Sequence, residues 1–224
     1  MRILIINPNS SLEMTEAIHK SACGFAKGYF EVVTLHIPES TPFVATYEDH
    51  ARAASGMIKI IRDNNDDFDA FVIACHGDPN LDLMKEICDK PVVGIAEASM
   101  KMATMLGDRF SVISPVERNI PNKRVLIEKY HLEGYLASIR APQKEDEGKS
   151  EEQRLMGAAR KAIDEDMAEV IVLGCAGFAG LDKSMEKELG VPVLDGVICA
   201  LILASGMVRY GVSTSKKRRY NPVF

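Results

Sequence analysis

The chain has 224 residues, about one and a half ordinary domain lengths, and its 27 Lys and Arg against 32 Asp and Glu give a formal charge of −5. That balance speaks against electrostatic capture of nucleic acid or of an anionic membrane as partners. With 46 % apolar and 26 % charged residues, the composition excludes global disorder, and the length allows a substantial core without covalent staples.

The opening MRILIINPNS is too short an apolar run for a secretory leader. Its residues 2–6 read as a buried strand that enters an Asn-Pro-Asn loop. Met14, Ile18, Ala22 and Phe25 then recur at helical spacing, with Ser10 or Ser11 as N-cap. Tyr47, Ala51, Ala54, Ile58 and Ile61 step by 4, 3, 4 and 3 and predict a second amphipathic helix. Residues 70–74 form another buried strand, which ends at Cys75-His76-Gly77-Asp78-Pro79.

The second half replays this order. Arg109 to Ser114 is a strand running into Pro115, as Arg2 to Asn7 runs into Pro8. Leu155, Ala159, Ala162 and Ile163 share one face of a helix over 153–167, and a strand over 170–174 ends at Cys175-Ala176-Gly177. Cys75 and Cys175 lie 100 residues apart, and Pro91 and Pro192, each leading the next strand, lie 101 apart. The repeat implies an α/β protein of two similar Rossmann-like halves with parallel sheets. Residues 1–97 with about 207–224 form the half carrying Cys75, and 98–206 the half carrying Cys175. Val197 to Val208 is the longest apolar stretch, contains Ser205 and Gly206, and is too short to span a bilayer. The odd count of five cysteines suggests no disulfide framework, so the expectation is a soluble protein of a reducing cytoplasm.

Ligands of open α/β sheets bind outside the carboxyl ends of the strands, where both Cys75 and Cys175 fall. Halves related by a pseudo-twofold axis would bring the two thiols to one cleft between them. Thiolate is the reactive form of cysteine, and two such groups on opposite sides of a carbon suit its inversion. One removes a Cα proton while the other delivers a proton to the opposite face, with no cofactor. Small neighbours Gly77, Ala176 and Gly177 let backbone N–H groups approach a developing enolate. No spacing supports a metal site.

At these residues the chain resembles the aspartate/glutamate/hydantoin racemase superfamily, nearest its hydantoin and allantoin racemase branch. The matching stretches are Ile5 to Ser11 with Met14-Thr15, Val72 to Pro79, Pro91 to Ala98, Val172 to Gly177, Gly190 to Val193 with Asp195 to Val197, and Thr214 to Lys216 with Tyr220. The resemblance implies a cofactor-independent two-base racemase with Cys75 and Cys175 as the acid/base pair. It implies substrate contacts from Asn9, His76, Gly77, Ser114, Ala176 and Gly177, and a homo-oligomer acting on a small molecule. His76, Phe178 and the segment Thr41 to Tyr47 depart from the branch and bear on substrate identity.

The absence of Asn-Thr and Thr-His after the two cysteines argues against a free dicarboxylic amino acid and for a 5-substituted hydantoin or allantoin. An aspartate or glutamate racemase, a maleate isomerase-like enzyme and a two-lobed binding protein remain as alternatives. Cys23, Cys88 and Cys199 read as structural residues within helical patterns, and Asp78 and Asp195 as helix caps or loop braces rather than substrate contacts. Lys216 to Arg219 reads as a solvated tail, and 143–150 as a surface loop or a lid.

Overall fold

The structure, a computed structural model, describes residues 1–143 and 148–222. Of the segment 143–150, read as a surface loop or a lid, residues 144–147 lie outside the described residues. The chain divides into two compact units, residues 1–95 with 197–224 and residues 96–196. The return to the first unit comes at 197 rather than near 207, because the apolar helix α8 (Gly196–Tyr210) continues from that point without a break.

In the first unit, β1 (Arg2–Asn7), β2 (Glu31–His36), β3 (Ala70–Ile73) and β4 (Val92–Gly94) form one sheet in the order β2-β1-β3-β4, with every pairing parallel. Side chains alternate across such a sheet. Leu4, Ile6, Phe71 and Ile73 thus enter one core with Ala53, Met57 and Ile61 of α2 (Tyr47–Asn64) and with Leu81 and Met84 of α3 (Leu81–Ile87). Helix α1 (Leu12–Ala26) starts at Ser11, whose hydroxyl accepts the Met14 N–H, and buries Thr15, Ile18, Ala22 and Ala26.

The buried stripe of α2 shares only Ile61 with the row the periodicity picked. Tyr47 is 70 % exposed and Ala51 is exposed, while Ala54 and Ile58 flank the stripe. Met57, the largest side chain at the centre of the face, sets the rotation, and Gly56 beside it admits Ile37, whose Cγ2 would lie 2.5 Å from any added Cβ. Strand β2 escaped the sequence reading because EVVTLH mixes polar and apolar residues, as an edge position requires.

The second unit repeats the plan with β5 (Phe110–Ile113), β6 (Leu136–Arg140), β7 (Val170–Leu173) and β8 (Val193–Leu194), in the order β6-β5-β7-β8 and parallel throughout. One sheet face packs Ile113, Ile171 and Leu173 against α6 (Glu151–Asp166) and α7 (Asp182–Leu189). The other packs Phe110, Val112, Val170 and Val172 against α4 (Ile95–Ala103) and α5 (Ile120–Lys129). Strand β4 ends at Gly94 and α4 begins at Ile95, so Ala96 and Glu97 are helical. The edge strand β6 is tied down by Arg140, whose guanidinium bonds Asp166 at 2.5 and 2.8 Å and Glu165 at 2.7 Å.

The basic tail is docked through Lys216 and the nearby Tyr220, while Lys217, Arg218 and Arg219 stay exposed as expected. Lys216 Nζ donates to the carbonyls of Lys85 and Glu86 at 2.6 and 2.8 Å, and Tyr220 donates to Asp82 at 2.8 Å. A cation on the last carbonyls of α3 complements its dipole. Among the described residues no helix is long and apolar enough to cross a membrane. Replacing Lys216 with Met is expected to cost about 1–2 kcal/mol and to speed tryptic cleavage at Lys217, Arg218 and Arg219, checked by denaturant unfolding and limited trypsinolysis.

Candidate active site

In each sheet the chain order reverses between the two central strands, and ligands gather outside that switch point. In the first unit it lies between β1 and β3, where Ala74 N–H donates to Ile6 O at 2.8 Å. In the second it lies between β5 and β7, where Gly174 N–H donates to Ile113 O at 2.9 Å. One residue beyond each bond stands a cysteine, Cys75 or Cys175. The two loops share a burial rhythm: Cys75 and Gly77 are half-buried while His76 and Asp78 are buried, and Cys175 and Gly177 are half-buried while Ala176 and Phe178 are buried. His76 is only 3 % exposed, so its ring packs inward while the neighbouring thiol keeps some exposure.

The loops differ in how they turn. Around Cys75 the chain makes a tight turn, Asp78 N–H to Cys75 O at 2.9 Å, with Asp78 and Asn80 at left-handed φ of 42° and 56° before α3 starts. After Cys175 a 3-10 helix (Ala176–Phe178) begins at once with Cys175 as its cap, and Gly177 N–H donates to the Cys175 Sγ at 3.4 Å. The Gly177 amide is therefore engaged by the sulfur, where it favours the thiolate, rather than open to an enolate.

Both loops are braced by an aspartate, from opposite partners. The carboxyl of Asp78 packs on Gly94 so closely that an added Cβ would sit 2.4 Å from it. In the second unit Asp195, the counterpart of Gly94 in the repeat, accepts the Gly180 N–H at 3.1 Å. Each carboxylate links the cysteine loop to the end of the fourth strand of its own sheet.

Asn9 is 5 % exposed and organises the loop after β1. Its Oδ1 accepts from Asn7 Nδ2 at 2.8 Å and from Ser11 N–H at 2.9 Å, while its Nδ2 faces the weak acceptor Met14 Sδ at 3.1 Å. Ser114 is fully buried. Its N–H donates to Arg140 O at 2.7 Å and its hydroxyl to Val116 O at 2.9 Å, so it orders the loop after β5. Asn9 and Cys75 thus follow neighbouring strands of one unit, as Ser114 and Cys175 do in the other.

Two residues beside these loops went unnoticed in the sequence. His50, in the first turn of α2, has Nε2 within 3.5 Å of the point where a Gly77 Cβ would stand, and Cys75 Sγ lies 3.8 Å from that point. Burial lowers its pKa from the ordinary histidine value, outweighing Asp49. Its signal was its spacing of three before Ala53 and seven before Met57 on the buried stripe. Lys123 of α5 is 7 % exposed, and its Nζ donates to Gly174 O at 2.7 Å. It precedes Leu126 and Ile127 on the buried face of α5, an odd place for an unemployed lysine.

The Cys175 thiol is pushed above the ordinary cysteine value, chiefly by burial; the Gly177 N–H and the charge of Lys123 pull it back, and Glu151 adds to the rise. Cys88, at the end of α3, is raised for the same leading reason and directs its thiol to Asn65 Oδ1 at 3.5 Å. Cys199 is buried in α8, while Cys23 is exposed on α1. No cluster of three or more His, Cys, Asp or Glu suited to a metal occurs among the described residues.

The profile of the Asp/Glu/Hydantoin racemase family matches residues 3–204. Over 228 aligned residues the chain is 38 % identical to a hydantoin racemase of Pseudomonas sp. (strain NS671), covering 98 % of this chain and 91 % of that one. Its fold superposes on an allantoin racemase from Klebsiella pneumoniae with a TM-score of 0.93 at 36 % identity, over 98 % of this chain and 92 % of the other. It superposes on an allantoin racemase from Pseudomonas fluorescens with a TM-score of 0.92 at 34 % identity, over 100 % and 99 %.

Helix α2, which presents His50, is held by a capping box in which Thr46 accepts the Asp49 N–H and Asp49 accepts from Ala45 and Thr46. Those amides, Ala45 first, bring the Asp49 carboxyl from 3.8 to about 2. The cap is therefore complete above pH 4 and is lost as pH falls through 2. Thr46→Ala is expected to cost about 1 kcal/mol, a Tm drop of about 2–4 °C by calorimetry. Iodoacetamide labelling of Cys175 is expected to climb steeply from pH 7 through 9, as the raised thiol ionises, when followed by peptide mass spectrometry.

Proposed function

Because this chain belongs to the Asp/Glu/hydantoin racemase family, we propose that it inverts the Cα of a small cyclic amide, a 5-substituted hydantoin or allantoin, with Cys75 and Cys175 as a cofactor-independent acid/base pair. The observation that carries this reading is the duplicate register of the two thiols, each one residue past the last bond between the central strands of its sheet. The relatives named as hydantoin and allantoin racemases support the substrate class.

The chemistry needs one thiolate and one thiol on opposite faces of the same carbon. The thiolate takes the Cα proton, and the electron pair left behind moves into the adjacent ring carbonyl as an enolate. The opposite thiol returns a proton to the other face and is left as thiolate, so the pair is set for the reverse direction. Burial of Cys175 favours its thiol form, which suits the proton-donating role, while the Gly177 N–H and Lys123 keep its thiolate within reach. Asn9 Nδ2 gains by exchanging its weak sulfur contact for a ring carbonyl. In this reading the backbone of His76 and Gly77 serves the enolate, while Ser114 and Ala176 shape the pocket wall.

Single-enantiomer hydantoins and allantoin incubated in D₂O are expected to lose optical activity and to gain deuterium at Cα. Cys75→Ser and Cys175→Ser should each lower the racemisation rate by about 10²–10⁴-fold with the fold retained by circular dichroism. A reduced, folded protein that exchanges no cyclic amide would overturn the substrate class. Racemisation surviving either substitution would overturn the two-thiol pair.

A further inference from the structure

A buried ammonium is costly unless it is paired and hydrogen-bonded, yet Lys123 keeps one inside the second unit at 7 % exposure. Its Nζ donates to the carbonyl of Gly174 at 2.7 Å, the carbonyl of the peptide whose N–H belongs to Cys175. From the other side, Gly174 N–H is held by Ile113 O at 2.9 Å. An added Cβ at Gly174 would lie 2.5 Å from that same oxygen, so the approach depends on glycine. The residue before Cys175 is thus gripped at both of its backbone polar groups, and one grip carries a full positive charge.

We propose that Lys123 is the positioning residue of Cys175, fixing the peptide that precedes the cysteine and supplying the positive charge that makes its thiolate attainable in a buried setting. The inference deepens the reading of Cys175 as an acid/base group and rests on it for its catalytic meaning. The polar and charged groups that act on this sulfur are the Gly177 N–H and Lys123, which favour the thiolate, and Glu151, which opposes it. In the first unit the Cys75 thiol faces the Val44 carbonyl at 4.0 Å.

The test compares the pH dependence of iodoacetamide labelling at Cys175 and at Cys75 in the native sequence, Lys123→Met, Lys123→Gln and Lys123→Arg. Peptide mass spectrometry separates the sites, and the buried Cys88 serves as the folding reference, since it should stay unlabelled in a folded variant. Lys123→Met is expected to slow Cys175 labelling at pH 7.5 by about tenfold or more, moving the profile to higher pH, and to leave Cys75 unchanged. Lys123→Gln keeps a donor for Gly174 O without the charge and should shift the profile likewise, whereas Lys123→Arg should restore most of the native profile. If Lys123→Met fails to fold, the Gln and Arg pair decides.

A folded Gln or Met variant whose Cys175 profile matches the native one overturns the proposal, even if its activity falls. Because the labelling uses no substrate, the outcome is separate from that of the racemisation assay. A native protein that labels as expected but racemises no cyclic amide removes the substrate reading and leaves the Lys123 assignment standing.

Discussion

The constraint on which the rest depends is the pairing of the two central parallel strands in each sheet. Parallel neighbours require a crossover, and when the chain next returns on the opposite side of the first strand, two loops open at the same sheet edge with nothing between them. In both units that opening is closed at its base by a single backbone bond, Ala74 to Ile6 and Gly174 to Ile113. The residues just past that bond can neither continue the sheet nor reach bulk solvent freely. The thiols half-exposed there are therefore placed by backbone hydrogen bonding, before any side-chain contact is considered.

Upon this common base the two loops acquire different electrostatics. The first turns through two left-handed residues, Asp78 and Asn80, and is approached by the half-buried His50, whose pKa burial lowers. The second winds directly into a 3-10 helix, aims an amide at its own sulfur and sets a buried lysine on the preceding carbonyl. Even the shared brace is built in reverse, with the carboxylate on the cysteine loop in one unit and at the end of the fourth strand in the other. A duplicated fold has kept the positions of two thiols while giving each a different set of polar neighbours.

The repeat, the central strands, the cysteine positions and the parallel α/β class were all readable from the chain. Buried strands such as LIIN and VIVL stand out by composition, and a hundred-residue offset between similar loops needs no coordinates. Edge strands β2 and β6 were not readable, since half-polar segments such as EVVTLH owe their conformation to the partner they pair with. The rotation of α2 was also misread, because five apolar residues on two neighbouring rows fit a helical face equally well until Met57 found its place in the core. The tail was read as solvated because four basic residues carry no sign of the α3 carbonyls that bind Lys216.

What the amino-acid order determined by itself was local: where strands end, where helices are capped, and that two similar halves each carry a cysteine at a strand terminus. Hydrophobic periodicity and punctuation act over a few residues, and so they survive without a third dimension. Tertiary structure alone decided which polar residues reach those cysteines. His50 and Lys123 lie 25 and 52 residues from the cysteine of their own unit, too far along the chain to be noticed, whereas Asp78 and Asp195 stand within the cysteine-bearing motifs and were legible. Charge–dipole and charge–thiolate interactions depend on distance through the fold, which no spacing along the chain records.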